Sequence, residues 1–512
     1  LDQYNSVLRE YNNLLKQYRK NNYANQIISS DNKSKSVWKV IKDIKGSDTN
    51  CDTKISGNPV EVATNFNKFL SNAALELTSD FNIADFNCYI STNFKCIFLR
   101  PVCSNEIYNT ILNLKNKQSS GVDEIPSSII RYCALEFSKP LTHIINNSFQ
   151  YGIFPDRLKL ALVKPLFKKG DPTLMSNYRP ISLLPGFSKI FETVMSNRLI
   201  DFFKKCTLFN TTQHGYIKGR SIDTAVFEFT NNILRAFESR ECALGIFLDL
   251  SKAYDCLNYK VLYLKLYKYG IRGTALDWIK SYLSERKQKV CIIKELITYY
   301  SEFENINLGI PQGSVLGPLL FIIYINDISS TIKHTSQSMV NYADDTNLLV
   351  VGETPLEVIN NCNILVEDVC RWFKNNNLSV NGEKTNLVMF RTKLSKVNIP
   401  GNCHVQGLPI SLTGETKFLG VHLDEHLDWS SHVVQLCKKL NKVVYTLYVM
   451  KKYVDLDVLK TIYHANFNSI LKYCVIFWGQ CVSSNNVFLI QKRALRTIFN
   501  FKVTQTCKTT FK

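Results

Sequence analysis

Ser338-Met339-Val340-Asn341-Tyr342-Ala343-Asp344-Asp345-Thr346-Asn347-Leu348-Leu349-Val350-Val351 consists of two apolar runs joined by a short polar turn. The pattern predicts a β-hairpin with adjacent carboxylates at its tip. Neighbouring anions repel, so a tight turn is an unfavourable place for them unless a positive group sits there. A solvated turn is the plain alternative. Flanking runs this apolar weaken it, because a hairpin built from them must bury at least one face.

A second carboxylate lies upstream, in Gly245-Ile246-Phe247-Leu248-Asp249-Leu250-Ser251-Lys252-Ala253-Tyr254-Asp255. The apolar run up to Leu248 reads as a buried strand with Asp249 at its end. A carboxylate there is costly to bury without a cation or a donor. Alone, Asp249 could be a capped strand end or a helix N-cap, and Asp255 likewise. Together with the hairpin, Asp249 and Asp344 can form the bridging carboxylates of a two-magnesium site, with Asp345 as a further ligand. Hard oxygen donors from different strands, with positions left open for phosphate, suit magnesium. Two such ions about 3.5–4 Å apart activate an attacking 3′-hydroxyl and stabilise a leaving pyrophosphate.

The charge balance points to a polyanion partner. Lys and Arg number 62 against 43 Asp and Glu, a formal +19 over 512 residues. Such an excess favours nucleic acid or an acidic membrane surface. It is concentrated: Ser431 to Lys512 holds 13 basic residues opposed by Asp455 and Asp457 alone, which is 11 of the 19 excess charges. No apolar run reaches the length of a membrane span, and the N-terminal residues carry no signal-peptide pattern. The 16 cysteines include no Cys-x-x-Cys pair. Scattered in this way, they read as reduced, buried thiols of an intracellular protein.

Along the chain, residues 1–100 read as an N-terminal helical extension and linker. Leu8, Tyr11, Leu15 and Tyr18 fall at helical spacing, Gly46 to Asn50 reads as a break, and a less regular stretch runs to about Arg100. Residues 101–430 alternate helical patterns with short β-rich runs, which is α+β character without a doubly wound rhythm. From Ser431 the reading is helical again, with Val433, Leu436, Leu440, Val444 and Leu447 on one face. The chain starts at Leu1 and stops on Lys512, and it is expected to be a fragment.

The motifs resemble those of reverse transcriptases, specifically the LINE-type, jockey-like group of non-LTR retrotransposons. Tyr342-Ala343-Asp344-Asp345 is similar to the family's Tyr-x-Asp-Asp box, and Phe247 to Asp255 to its first catalytic motif. Further likenesses are Ser120-Gly121-Val122-Asp123, Ser314 to Phe321 with Tyr324 to Ile328, and Gln491-Lys492-Arg493-Ala494-Leu495-Arg496. The resemblance covers roughly Val102 to Phe499. It implies a right-hand polymerase fold: fingers and a palm with an antiparallel sheet over 101–430 (core about 148–424), then a basic helical thumb, incomplete, over 431–512. The implied activity is RNA-directed DNA polymerisation with two Mg²⁺ ions, for which Mn²⁺ substitutes. Implied partners are an RNA template, a DNA primer, their duplex and deoxynucleoside triphosphates, with no membrane. The expected location is nuclear or cytoplasmic, and a full-length element supplies an endonuclease domain.

The resemblance also implies roles for single residues. Asp249, the Leu250 backbone, Asp344 and Asp345 would hold metal. Tyr254, beside Ala253, would be a steric gate against a 2′-hydroxyl. Leu308-Gly309-Ile310-Pro311-Gln312-Gly313-Ser314 resembles the Pro-Gln-Gly motif, so Gln312 and Gly313 would meet the nucleotide. Arg179, in Asn177-Tyr178-Arg179-Pro180, would grip the triphosphate with its planar fork. A lysine among Lys164, Lys168 and Lys169 would assist it. Gln213-His214-Gly215-Tyr216 with Arg220 would lie near the template, and Lys384 near the leaving pyrophosphate. Phe418-Leu419-Gly420 matches the primer grip, with Trp429 and His432 continuing the pattern. A bacterial intron maturase, a viral RNA-dependent RNA polymerase and a non-catalytic RNA-binding descendant are the alternatives. The intact Asp249, Asp344 and Asp345 argue against the last.

Overall fold

The computed structural model describes residues 2–45, 55, 57–77, 86, 88–295, 297–394, 403–405, 408–410, 412–502 and 504–508. The expected break at Gly46 to Asn50 lies outside them. The chain divides into two compact units, one comprising Cys51–Leu387 and Val397–Leu412, the other Leu1–Asn50, Val388–Lys396 and Thr413–Lys512. Helices and sheets are mixed, as an α+β reading requires.

The larger unit is organised by strands β1 (Leu160–Phe167), β2 (Tyr178–Leu183), β3 (Cys242–Leu248), β4 (Arg286–Lys294), β5 (Ile297–Tyr300), β6 (Glu304–Ile306), β7 (Gln337–Tyr342) and β8 (Asp345–Gly352), while β9 (Asn386–Phe390) runs across the division between the units after Leu387. One sheet has the order β2-β1-β4-β5, with β6 also paired to β4; a second has the order β7-β8-β3-β9. A short ribbon pairs β10 (Cys403–Val405) with β11 (Leu408–Ile410). β3 is interior to its sheet, which explains a continuous apolar run where an exposed strand would alternate. Helices Ile222–Glu238 and Pro355–Asn375 pack against this sheet. Helix Gly317–Ile325 buries every residue but Pro318, as its uniformly apolar sequence demands.

One helix escapes the sequence reading. Pro59–Leu77 falls in the stretch expected to be less regular, yet Val62, Ala63 and Phe66 form a core with Val163, Tyr178, Val290 and Ile292. Its start was written locally: the Asn58 side chain accepts from the Val60 amide (3.0 Å), and Pro59 takes the first turn. The burial of every thiol also needs correction. Cys256, Cys291, Cys362, Cys474 and Cys507 are buried, but Cys96 and Cys103 are exposed, on or beside a stretch without regular structure.

The smaller unit begins with helices Asp2–Ile28 and Lys33–Lys45; Leu8, Tyr11 and Tyr18 of the first are exposed. It continues with a hairpin of β12 (Glu415–Phe418) and β13 (Val421–Asp424), helix Ser430–Met450, and further helices to Phe499. Val433, Leu436, Leu440, Val444 and Leu447 are all buried. Lys438, Lys439 and Lys442 are therefore turned to solvent. Among the described residues, no helix is long and apolar enough to cross a membrane.

Candidate active site

Tyr342 pairs with Asp345, so only Ala343 and Asp344 make the turn of the β7–β8 hairpin. Ala343 takes a left-handed φ of 56°, the geometry a two-residue hairpin turn asks of its first position. β8 in turn pairs with β3, with Leu248 opposite Thr346. The next residue along each strand is Asp249 and Asp345. Carboxylates from two distant segments thus meet at one end of one sheet.

Two of them, Asp344 and Asp345, are shifted there. Burial raises the Asp344 carboxyl above the usual range, its own backbone amide opposes the shift, Asp249 adds to it, and Arg179 opposes it. Asp345 keeps solvent on one side, yet loss of hydration at the crowded sheet end pushes it up to about 6, with Asp344 and then Asp249 contributing. Among the described residues no group of three or more His, Cys, Asp or Glu side chains is gathered tightly enough to hold a metal ion as it stands. The residues present nonetheless fit a hard cation: the side chains gathered here are carboxylates, whose repulsion a divalent ion would relieve.

The cation found at Asp249 is a lysine. Lys384 Nζ lies 3.0 Å from Asp249 Oδ2. Backbone pairing fixes this approach: Asn381 N donates to Asp249 O (2.8 Å), Ser251 N donates to Ser379 O (2.9 Å), and Leu250 bridges to Val380. Asn381 also accepts from Lys384 N at 3.3 Å, closing the short turn that carries the lysine.

Tyr254 lies beside these groups. Its ring stacks on Phe321 with centroids 4.5 Å apart, and its carbonyl accepts from Ile310 N at 2.9 Å. Burial raises its phenol well above the ordinary value, with Tyr216 and Asp344 adding to the effect. Ala253 is buried. Gln312 Nε2 donates to both oxygens of Asp255, at 3.0 and 3.2 Å, and Gln312 O accepts from Ser182 N at 2.9 Å. Gly313, at φ 128°, runs so close to Ser182 that a Cβ would stand 2.6 Å from its carbonyl oxygen. Asp255 is therefore not a helix cap; Asn258 caps helix Tyr259–Tyr269 instead.

The remaining expected residues divide. Arg179 is exposed on β2, and its charge reaches Asp344. Lys164 on β1 lies opposite Ile181, and its charge acts on the buried Cys291 thiol of β4. Gln213 and His214 are buried, so neither presents an open surface of the kind expected for a template contact. Phe418 is buried in the smaller unit, where Leu419 and Gly420 turn the β12–β13 hairpin and Leu419 O accepts from the Tyr473 hydroxyl. Sequence reading missed Glu192. Fully buried on helix Gly186–Lys205, its carboxylate accepts from Val315 N (2.6 Å) and Leu316 N (3.1 Å), anchoring the loop that carries Gln312.

A family described as reverse transcriptase (RNA-dependent DNA polymerase) matches residues 167–423. A probable RNA-directed DNA polymerase from transposon BS of Drosophila melanogaster is 28% identical over 418 residues, 78% of this chain and 45% of that protein. The RNA-directed DNA polymerase from mobile element jockey of the same organism is 28% identical over 414 residues, 78% of this chain and 44% of that protein. The probable enzyme from its transposon X-element is 27% identical, over 77% of this chain and 43% of the relative. The chain thus spans less than half the length of these curated relatives.

Proposed function

Since the chain belongs to the reverse transcriptase family, beside the jockey-like non-LTR elements, we propose that it is an RNA-directed DNA polymerase. It extends a DNA 3′ end on an RNA template by nucleotidyl transfer. The observation that carries this reading is the convergence of Asp249, Asp344 and Asp345 at one sheet end, where burial and the neighbouring carboxylates raise the proton affinity of Asp344 and Asp345. Two Mg²⁺ ions held by these carboxylates and the Leu250 backbone would supply the Lewis-acid stabilisation of the attacking and leaving oxygens.

The chain's own groups do the rest. Arg179 orients the triphosphate through its guanidinium fork. Tyr254, braced against Phe321, forms the wall that a 2′-hydroxyl would strike. Gln312 and Gly313 lie beneath the sugar, with the Gln312 amide steadied by Asp255. Lys384, released from Asp249, donates a proton to the leaving pyrophosphate. The larger unit serves as fingers and palm, and the helices after Ser430 as a thumb whose exposed lysines hold the backbone of the RNA–DNA duplex. The enzyme works inside the cell, nuclear or cytoplasmic, and a longer element supplies an endonuclease.

Primer extension on an RNA template, with deoxy- and ribonucleotides compared side by side, tests the reading. Template-dependent extension that prefers deoxynucleotides is expected. Template binding without extension in the presence of Mg²⁺ or Mn²⁺ would instead favour a non-catalytic RNA-binding descendant.

A further inference from the structure

We infer that Gln213 is a positioning residue for the metal-binding turn: its side-chain oxygen fixes the backbone from which Asp344 and Asp345 project. Gln213 Oε1 accepts two backbone amides, from Ala343 at 3.0 Å and from Gly215 at 2.8 Å. Ala343 is the residue immediately before Asp344. As the first residue of a two-residue hairpin turn, its amide has no partner in the β7–β8 ladder, and Ala343 is buried. A buried amide without an acceptor is strongly unfavourable, so the turn keeps this geometry only where something supplies one. Gln213, itself 2% exposed, supplies it.

The support around Gln213 is extensive. Asn341 N donates to Thr212 O and His214 N to Asn341 O, both at 2.8 Å, so Gln213 forms an isolated parallel bridge with Asn341 of β7. Arg220 donates to the Gln213 carbonyl at 2.7 Å. The His214 ring is held between the Thr224 hydroxyl (2.8 Å) and the Glu228 carboxylate (3.0 Å). At Gly215 the two backbones approach so closely that a Cβ would stand 2.5 Å from the Ala343 nitrogen. Gln213 and His214 are both buried. Their effect passes through the turn, and reaction geometry is sensitive to such displacements.

The inference rests on the proposed polymerase function, and the test separates the two. In the full chain, Gln213→Met keeps the volume and removes the acceptor, whereas Gln213→Glu keeps an acceptor for both amides. Hydrogen exchange over residues 339–345 reads the bond without any activity. Steady-state extension reads its consequence. In Gln213→Met, exchange at Ala343 should accelerate, and kcat should fall roughly 10- to 100-fold. The nucleotide KM and template–primer affinity should stay within about two-fold, and the thermal midpoint should remain close to the parent's. Gln213→Glu should recover most of both exchange protection and kcat. Unchanged exchange and kcat in Gln213→Met, or a Glu variant no better than the Met variant, would overturn the inference. If the parent itself fails to extend, the functional reading falls, and the exchange comparison still decides whether Gln213 fixes the turn.

Discussion

Lys384 Nζ stands 3.0 Å from Asp249 Oδ2, although 135 residues separate them. The pair is brought together by backbone pairing between residues 249–251 and 379–381 and is open to solvent on both sides. An exposed ion pair of this kind contributes about 0.2–1 kcal/mol, so a divalent cation at Asp249 can displace it. Lys384→Gln should therefore tighten Mn²⁺ binding to the nucleotide-free chain by no more than about five-fold. It should also slow single-turnover extension by about 10²-fold, the lower end of general-acid effects. Electron paramagnetic resonance of bound Mn²⁺ and quenched-flow extension give the two numbers. Unchanged extension would remove Lys384 from the chemical step.

Tyr254 stacks on Phe321 at 4.5 Å, which holds the ring as a rigid wall. If Tyr254 is the proposed gate, Tyr254→Val should raise the ratio of ribo- to deoxynucleotide incorporation by about ten-fold or more, because valine lacks the ring that a 2′-hydroxyl would strike. Loss of the stacked pair should cost about 0.5–1.5 kcal/mol of stability beyond the lost burial. An unchanged incorporation ratio with lowered stability would make Tyr254 a packing residue only.

His432 carries the clearest pH signature. It is 5% exposed, and burial lowers its pKa from 6.5 to about 4, with His422 and Lys439 adding to the shift. The unfolded chain thus binds more protons than the folded chain between those values. Stability is full above about pH 6.5 and falls on acidification toward pH 4, by a few kcal/mol at most. His422, also lowered chiefly by burial, acts in the same direction. Gln in place of His432 keeps an acceptor for the His422 amide and cannot be protonated. Thermal midpoints at pH 7 and pH 5 should therefore differ less in His432→Gln than in the parent. Equal differences would place the acid sensitivity elsewhere.

Lys438, Lys439 and Lys442 lie on the exposed side of helix Ser430–Met450. The same compact unit includes the helices Asp2–Ile28 and Lys33–Lys45, so substitution tests this face more cleanly than truncation at residue 431. Replacing the three lysines with Gln should flatten the log–log salt dependence of template–primer binding by about 0.7–0.9 per lost phosphate contact. Base-pair selection should hardly change, since backbone contacts carry no sequence information. An unaltered slope would mean that this face serves a different partner.

The sequence made local matters readable and left long-range ones hidden. The hairpin turn at Ala343-Asp344, the apolar strand ending at Leu248 and the buried face of Val433, Leu436, Leu440, Val444 and Leu447 all follow from periodicities of two or 3.6 residues. Helix Pro59–Leu77 was overlooked because a few apolar positions among polar ones give a weak period, although Asn58-Pro59 marks its start. Glu192 and Gln213 act on backbone amides 123 and 130 residues away. No spacing rule encodes such a partner, and a buried acid or amide reads in sequence like any surface polar residue. The tie between Gln312 and Asp255 was hidden in the same way.

In the proposed reaction the carboxylates at the end of β3 and in the β7–β8 turn perform metal-assisted nucleotidyl transfer. The most direct measurement is the extension rate of Asp344→Asn beside its gel-shift affinity for an RNA–DNA template–primer, on one folded preparation. Asparagine keeps the size of the side chain and removes the charge, so binding should remain within a few-fold of the parent while extension becomes undetectable. Extension near the parental rate by Asp344→Asn would contradict the account.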